Sequence, residues 1–249
     1  MHSILAATQH RPWPLPCRPW IMTQRWHDLL FAHWPLPPSD LRSLIPAGLA
    51  IDTFDGRAWL GVVPFRMSGV RLRDTPPLPW LSNFPELNVR TYVARDGKPG
   101  VWFFSLDAAN PLAVAIARRW FNLPYFRAYM RAVETSGHIE YQCVRTHRYA
   151  PSAILRATYG PLGAPFEAQP GTLEYFLTER YCLYTADRHG HLIRAEIHHR
   201  PWPLQRAEAQ FTENTMAAAA RIRLPDTSAL LHFSRRQDVL VWPPTVADG

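Results

Sequence analysis

Apolar and polar residues alternate most clearly between Glu86 and Asp107. The run ELNVRTYVA (86–94), the turn RDGKPG and the run VWFFSLDA (101–108) read as two antiparallel strands joined by a tight hairpin. Further alternating or apolar runs predict strands at 57–67, 138–147, 153–160, 180–187, 191–199, 204–211 and 229–241, with Gly, Pro and Asp turns between them. Pro64, inside the first of these, suggests a bulge or an edge position. Helical signals are fewer. Residues 37–49 have Ser39 placed as a cap and end at Pro46 and Gly48. Residues 110–121 begin with Asn110 as cap and Pro111 at the first position, and 212–220 set Thr212 before an alanine run. The stretch 71–86 reads as a proline-studded loop. Residues 1–21 show no period, and Pro12, Pro14, Pro16 and Pro19 are hostile to helix, so they read as a loosely ordered arm. Residues 22–249 then form one domain. The expected fold class is α+β, mainly antiparallel β, in a closed barrel or strongly curved sheet with a few peripheral helices.

Composition narrows the function classes. Of 249 residues, 47% are apolar and 19% charged, enough to bury a sizeable core. The 27 basic residues include a single lysine, Lys98, in the hairpin turn, which leaves one candidate for amine catalysis. The net charge is +7, but the arginines are scattered, with pairs such as Arg118-Arg119 and Arg235-Arg236 and no basic run. Nucleic acid is therefore not an expected partner. No stretch approaches the roughly 20 apolar residues of a membrane span, so no membrane partner is expected. Cys17, Cys143 and Cys182 are far apart and odd in number, which argues against a disulfide framework. Without a signal-peptide pattern, the expected compartment is the cytoplasm.

Strand alternation singles out candidate residues. In ELNVRTYV, Leu87, Val89, Thr91 and Val93 face one way, and Glu86, Asn88, Arg90 and Tyr92 the other. The second set either meets solvent or lines a barrel interior that takes a small polar ligand. The next strand is apolar on both faces, which favours cover on both sides. Arg66, Arg90 and Arg180 also lie in or beside apolar strands, where each must pair with an acid such as Glu86, Glu179 or Glu196, or bind a ligand. His33, ahead of a proline loop, is a candidate pocket base. His189, His191, His198 and His199 lack matching Cys or carboxylate spacing, so no metal site is expected. Absence of GxSxG, GxGxxG and P-loop patterns leaves no cofactor implied.

The motifs LLFAHWPLP, LRSLIPAGLAIDTFDGRAWLGVVPFRM, ELNVRTYV, GVWFFSLDA, ARRWFNLPY, LTERYCLY and HHRPWPLQ together resemble the YqjF-like family of uncharacterised bacterial proteins, collinearly over about residues 24–212. That family is in turn distantly similar to the acetoacetate-decarboxylase-like fold. The resemblance implies a closed, cone-shaped antiparallel β-barrel with a ligand pocket inside. In those decarboxylases a Tyr-Pro-Lys-Lys segment supplies the Schiff-base lysine. The matching segment here is Asn122-Leu123-Pro124-Tyr125-Phe126, which places Tyr125 and Phe126 where the lysines stand. The resemblance also places Glu86 near the family's acid. Taken together, the expected protein binds a small organic molecule in the barrel interior, where arginines are able to hold an anionic one. Glu86, Tyr125 and His33 are the candidate proton-transfer groups, and Arg90, Arg66, Asn88, Tyr92 and Arg180 the candidate ligand contacts. If it is an enzyme, its chemistry is lyase- or hydrolase-like acid/base work without a Schiff base. The alternative is a non-catalytic structural or ligand-sensing barrel, and a homo-oligomer stays open in either case.

Overall fold

In chain order the elements are α1 (His2–Ala6), β1 (Met22–Leu36), α2 (Pro38–Arg42), β2 (Ala50–Ile51), β3 (Ala58–Leu72), β4 (Phe84–Arg95), β5 (Lys98–Ala108), β6 (Tyr125–Thr135), β7 (His138–Arg145), β8 (Ile154–Phe166), α3 (Leu173–Thr178), β9 (Cys182–Ala186), β10 (Leu192–His198), β11 (Leu204–Asn214), α4 (Met216–Ala219), β12 (Leu230–Val241) and β13 (Thr245–Val246). This is a computed structural model that describes residues 2–76, 82–111, 114 and 121–247. Most of the helix expected over 110–121, and part of the 71–86 loop, lie outside the described residues.

The 86–108 hairpin forms as its sequence predicts. Asp96 and Gly97 both take positive φ, 51° and 70°, the shape of a two-residue loop whose twist matches the strands it joins, and Arg95 pairs with Lys98. The 13 strands among the described residues form one sheet in the order β13-β10-β9-β5-β6-β7-β8-β11-β12-β1-β3-β4-β2. Pairing of β4 with β5 closes it into a ring, and β10 pairs additionally with β12. The long strands therefore serve two compartments. At one end of β5, Val101 and Trp102 pair with β9; at the other, Leu106 to Ala108 pair with β6. Likewise Leu240 and Val241 of β12 meet β10, whereas His232 and Phe233 meet β11.

The compartment beside β6, β7, β8 and β11 is filled by Tyr141, Leu155, Tyr159 and Phe233, packed on Leu87 and Val89 from β4. Its tyrosines also pin the neighbouring backbone. Tyr141 Oη donates to the carbonyl of Glu86 at 2.7 Å, and Tyr159 Oη to that of Asp28 at 2.9 Å. Asp28 sits at φ +51°, a conformation uncommon outside glycine, where the β1–β3 register slips between His27 and Ala32. Its buried carboxylate is held by Arg66 and by Arg235 at 2.8 Å. Pro64, which lacks an N–H, falls opposite that slip, so the bulge it suggested lies in β1.

Close backbone approach explains Gly100. A Cβ there would sit 2.7 Å from the carbonyl oxygen of Cys182 and 2.9 Å from the Tyr184 ring. Gly100→Ala is expected to cost about 1–3 kcal/mol, read as a lower urea midpoint. An unchanged midpoint would mean that β9 yields freely.

Several expectations need correction. The chain forms β1 and β6, which alternation did not reveal. In β1 the apolar run Leu29–Ala32 is buried on both faces, so no period shows, and the slip at Asp28 breaks the phase. β6 has Ala128 as its one buried residue and mixes Arg and Glu with its aromatics, so no clean apolar alternation shows. Helix α3 was also missed, although Thr172 caps it by accepting from the Tyr175 amide. Thr212 caps nothing: β11 runs on to Asn214, and only Met216–Ala219 is helical. Pro37 rather than Ser39 occupies the cap position of α2, without a side-chain hydrogen bond. The N-terminal segment makes defined contacts with the barrel. Ile4 and Trp20 cluster with Leu240 and Trp242, while Arg11 donates to the Ile197 carbonyl at 2.6 Å and to Glu196 at 3.2 Å.

Candidate functional site

The second compartment is hollow. A cavity of about 450 Å³ lies among β1, β3, β4, β5, β9, β10 and β12, with Phe121, Leu123 and Tyr125 also in its lining. Its walls are mainly apolar, and its aromatic lining includes Trp26, Phe65, Phe84, Phe103 and Trp202. Strand alternation explains how polar groups enter. Leu87, Val89, Thr91 and Val93 point into the packed interior and are fully buried, so Glu86, Asn88 and Arg90 must face the other way. All three line the cavity. The face that could have met solvent is thus an internal wall.

Glu86 is 3% exposed, and Tyr125, the first residue of β6, donates its hydroxyl to Glu86 Oε2 at 2.9 Å. Burial raises the Glu86 carboxyl to about 8; the Tyr125 hydrogen bond pulls it back in part, and nearby Asp107 pushes it further up. Glu86 is therefore mostly protonated at neutral pH and offers an O–H. Burial, then the neighbouring carboxyl, holds the Tyr125 phenol well above its ordinary value. Asn88 is 5% exposed, and its Oδ1 has no hydrogen-bond partner among the described residues. Arg90 makes no ion pair there either. Its Nη2 donates to the Tyr92 hydroxyl at 3.4 Å and the Leu177 carbonyl at 3.3 Å, and its Nε is buried without a partner. Arg180 also lines the cavity but is committed to Asp52 at 2.6 Å and to the Phe176 carbonyl. With Glu86 neutral, the fixed charge on this wall is positive.

Other candidates fall elsewhere. His33 is fully buried and absent from the cavity lining; its Nε2 donates to the Tyr92 hydroxyl at 2.6 Å, and burial depresses its basicity strongly. Tyr92 sits behind the wall, donating to the Leu177 carbonyl at 2.7 Å, and so supports Arg90. Arg66 is tied to Asp28 and does not line the cavity. Lys98 pairs with Glu196 at 3.5 Å, also off the lining. Sequence reasoning missed His199 as a wall residue, having weighed it only as a metal ligand. It lies just beyond β10, bonded to the Arg200 and Arg180 carbonyls, and burial pushes it down to about 4. Among the described residues no group of three or more His, Cys, Asp or Glu could hold a metal ion. No described helix is long and apolar enough to cross a membrane.

Residues 23–238 match the model of DUF2071, described as an uncharacterized conserved protein (COG2071). The chain belongs to this family. It is 48% identical over 224 residues to the uncharacterized protein YqjF of Bacillus subtilis (strain 168), covering 90% of this chain and 91% of that one. Among solved structures, the chain is similar to the enduracididine biosynthesis enzyme MppR complexed with the condensation product of pyruvate and imidazole 4-carboxaldehyde (TM-score 0.63, 11% identity, 92% of this chain and 90% of that one). It is similar also to acetoacetate decarboxylase from Legionella pneumophila (TM-score 0.61, 11% identity, 98% and 95%). At these identities the likeness is one of fold. The DUF2071 chain is thus a ring-closed, mainly antiparallel sheet like that of acetoacetate decarboxylase, as its motifs implied.

Proposed function

We propose that this DUF2071 protein binds an organic acid in the cavity and exchanges a proton with it through Glu86 and Tyr125, without a lysine Schiff base. The observation that carries the reading is a buried carboxyl bonded to a phenol on the wall of a hollow interior that also holds an arginine without an ion pair among the described residues. A solid interior with Glu86 and Arg90 paired to each other would have favoured a purely structural barrel. Glu86 donates to a ligand oxygen while Tyr125 steadies its other carboxyl oxygen. Arg90 supplies donors for the anion, and it cannot serve as a base because it stays charged. Amine chemistry has no residue to run on: the one lysine is in an ion pair away from the cavity, and Tyr125 follows Pro124 where the resemblance sets the reactive lysine. The similar MppR fold is described in complex with pyruvate, which supports an organic acid as the ligand class.

Native mass spectrometry of the purified protein should show a noncovalent organic acid that leaves on denaturation. Arg90→Ala should lower its occupancy tenfold or more, the loss of a charged hydrogen bond being about 1.5–3 kcal/mol. Equal occupancy in the variant, or an adduct that survives borohydride and denaturation, would overturn the reading.

A further inference from the structure

Glu86 and Arg90 lie on the same face of β4, four residues apart. Strand rise sets their Cα atoms about 13 Å from each other. The spacing is not shortened by a bulge in β4, because Glu86 to Arg90 pair without a break against Phe65 to Gly61 of β3. The extra residue in this region, Phe104, belongs to β5, between Phe103 opposite Arg90 and Ser105 opposite Val89. The two side chains also lead away from each other. Glu86 is drawn to Tyr125 at the start of β6, whereas the Arg90 guanidinium reaches on towards Tyr92 and the end of α3. Between them the cavity is lined by Val63 and Phe65 from β3 and by Phe103 and Leu106 from β5. Asn88, its Oδ1 unpartnered among the described residues, adds a polar group midway.

The cavity therefore has a cationic station and a proton-exchanging station set about 13 Å apart along β4. Its volume of about 450 Å³ falls in the range of sites for drug-sized molecules. We infer that the ligand is an elongated, amphipathic carboxylic acid, its carboxylate at Arg90 and a second oxygen function at Glu86 and Tyr125, with an apolar body between. A three-carbon acid reaches one station only. A hydroxyl or N–H along that body would satisfy Asn88. The inference rests on reading the cavity as a site for an organic acid and adds the length and character of that acid.

Calorimetric titration with the unbranched carboxylates from acetate to decanoate, with pyruvate and with the matching alkanols, tests it on the full-length protein and on Arg90→Ala. Affinity for the acids should rise about fourfold per methylene as far as octanoate, each buried methylene contributing its ordinary transfer free energy. Arg90→Ala should weaken every acid tenfold or more and leave the alkanols unchanged. Pyruvate or acetate binding as tightly as octanoate would overturn the elongated ligand and leave the organic-acid reading standing. Alkanols binding as tightly as acids, with the same slope, would do the reverse. Binding of pyruvate with no binding by any longer acid would also sink the inference.

Discussion

Replacing Arg145 with Met is expected to destabilise the protein by about 3–5 kcal/mol, because it strands a buried carboxylate. Arg145 on β7 meets Asp107 on β5 side by side, Nε to Oδ1 and Nη2 to Oδ2, both at 2.7 Å. The side chains are 3% and 0% exposed, so water cannot replace either partner. The guanidinium also lies 4.1 Å from the centre of the Phe126 ring, contact that Met retains only in part. Burial already lifts the Asp107 carboxyl above its ordinary value against the pull of Arg145. Without Arg145 that carboxyl should take up a proton, and the variant's deficit should shrink as pH falls. Urea denaturation of Arg145→Met, Asp107→Asn and the double variant closes a thermodynamic cycle. The double variant should lose less than the two single losses together. Strict additivity, or a loss under about 1 kcal/mol for Arg145→Met, would show that the pair contributes as little as one in solvent.

How much of this was legible beforehand depends on which signals are local. The hairpin at Asp96-Gly97 was readable because a two-residue turn and alternating strands are written in adjacent positions. The same alternation put Glu86, Asn88 and Arg90 on one face, and the structure keeps all three on the cavity wall. Whether that face met water or an interior was not local information. It depended on ring closure through β4 and β5 and on which strands arrive from elsewhere in the chain. Tyr125 was reachable through the motif ARRWFNLPY and its likeness to a family, but its hydrogen bond to Glu86 spans 39 positions. Long-range partners decided the misplaced candidates as well. Arg66 was open to an acid or a ligand until β1 brought Asp28 beside it, and His33 was a candidate pocket base until Tyr92 met its Nε2. β1 escaped notice because a strand buried on both faces has no polar phase to count. The arm at residues 2–21 has no periodicity to read. Its Arg11 is held by the Ile197 carbonyl on β10, a partner that no sequence pattern announces.

The raised Glu86 carboxyl makes folding stability fall as pH rises, and Glu86→Gln should remove that dependence. In the folded protein the group holds its proton up to about 8, whereas its ordinary value is 4.5. Below the lower value both states are protonated, and the group's contribution to stability is fully present. Between the two, the unfolded chain releases its proton and the folded chain keeps it, so stability drops by about 1.4 kcal/mol per pH unit. By pH 8 the loss approaches roughly 4–5 kcal/mol as an upper bound, and above that it levels off. Gln keeps the shape and can still accept from the Tyr125 hydroxyl but carries no titrating proton. The difference between wild-type and Glu86→Gln unfolding free energies should therefore tilt towards the variant steadily from pH 5 to pH 8. Asp107, also raised, and the buried histidines His33, His198 and His199, all lowered, titrate in both proteins and cancel to first order in that difference. Parallel curves for the two proteins would mean that Glu86 is ionised in the fold at neutral pH, and the cavity wall would then present a base rather than an acid. The same titration carries over to binding. Ionising Glu86 sets a negative charge on the wall that receives an anion, so octanoate affinity in the wild type should decline once pH passes about 8 and stay level in the variant.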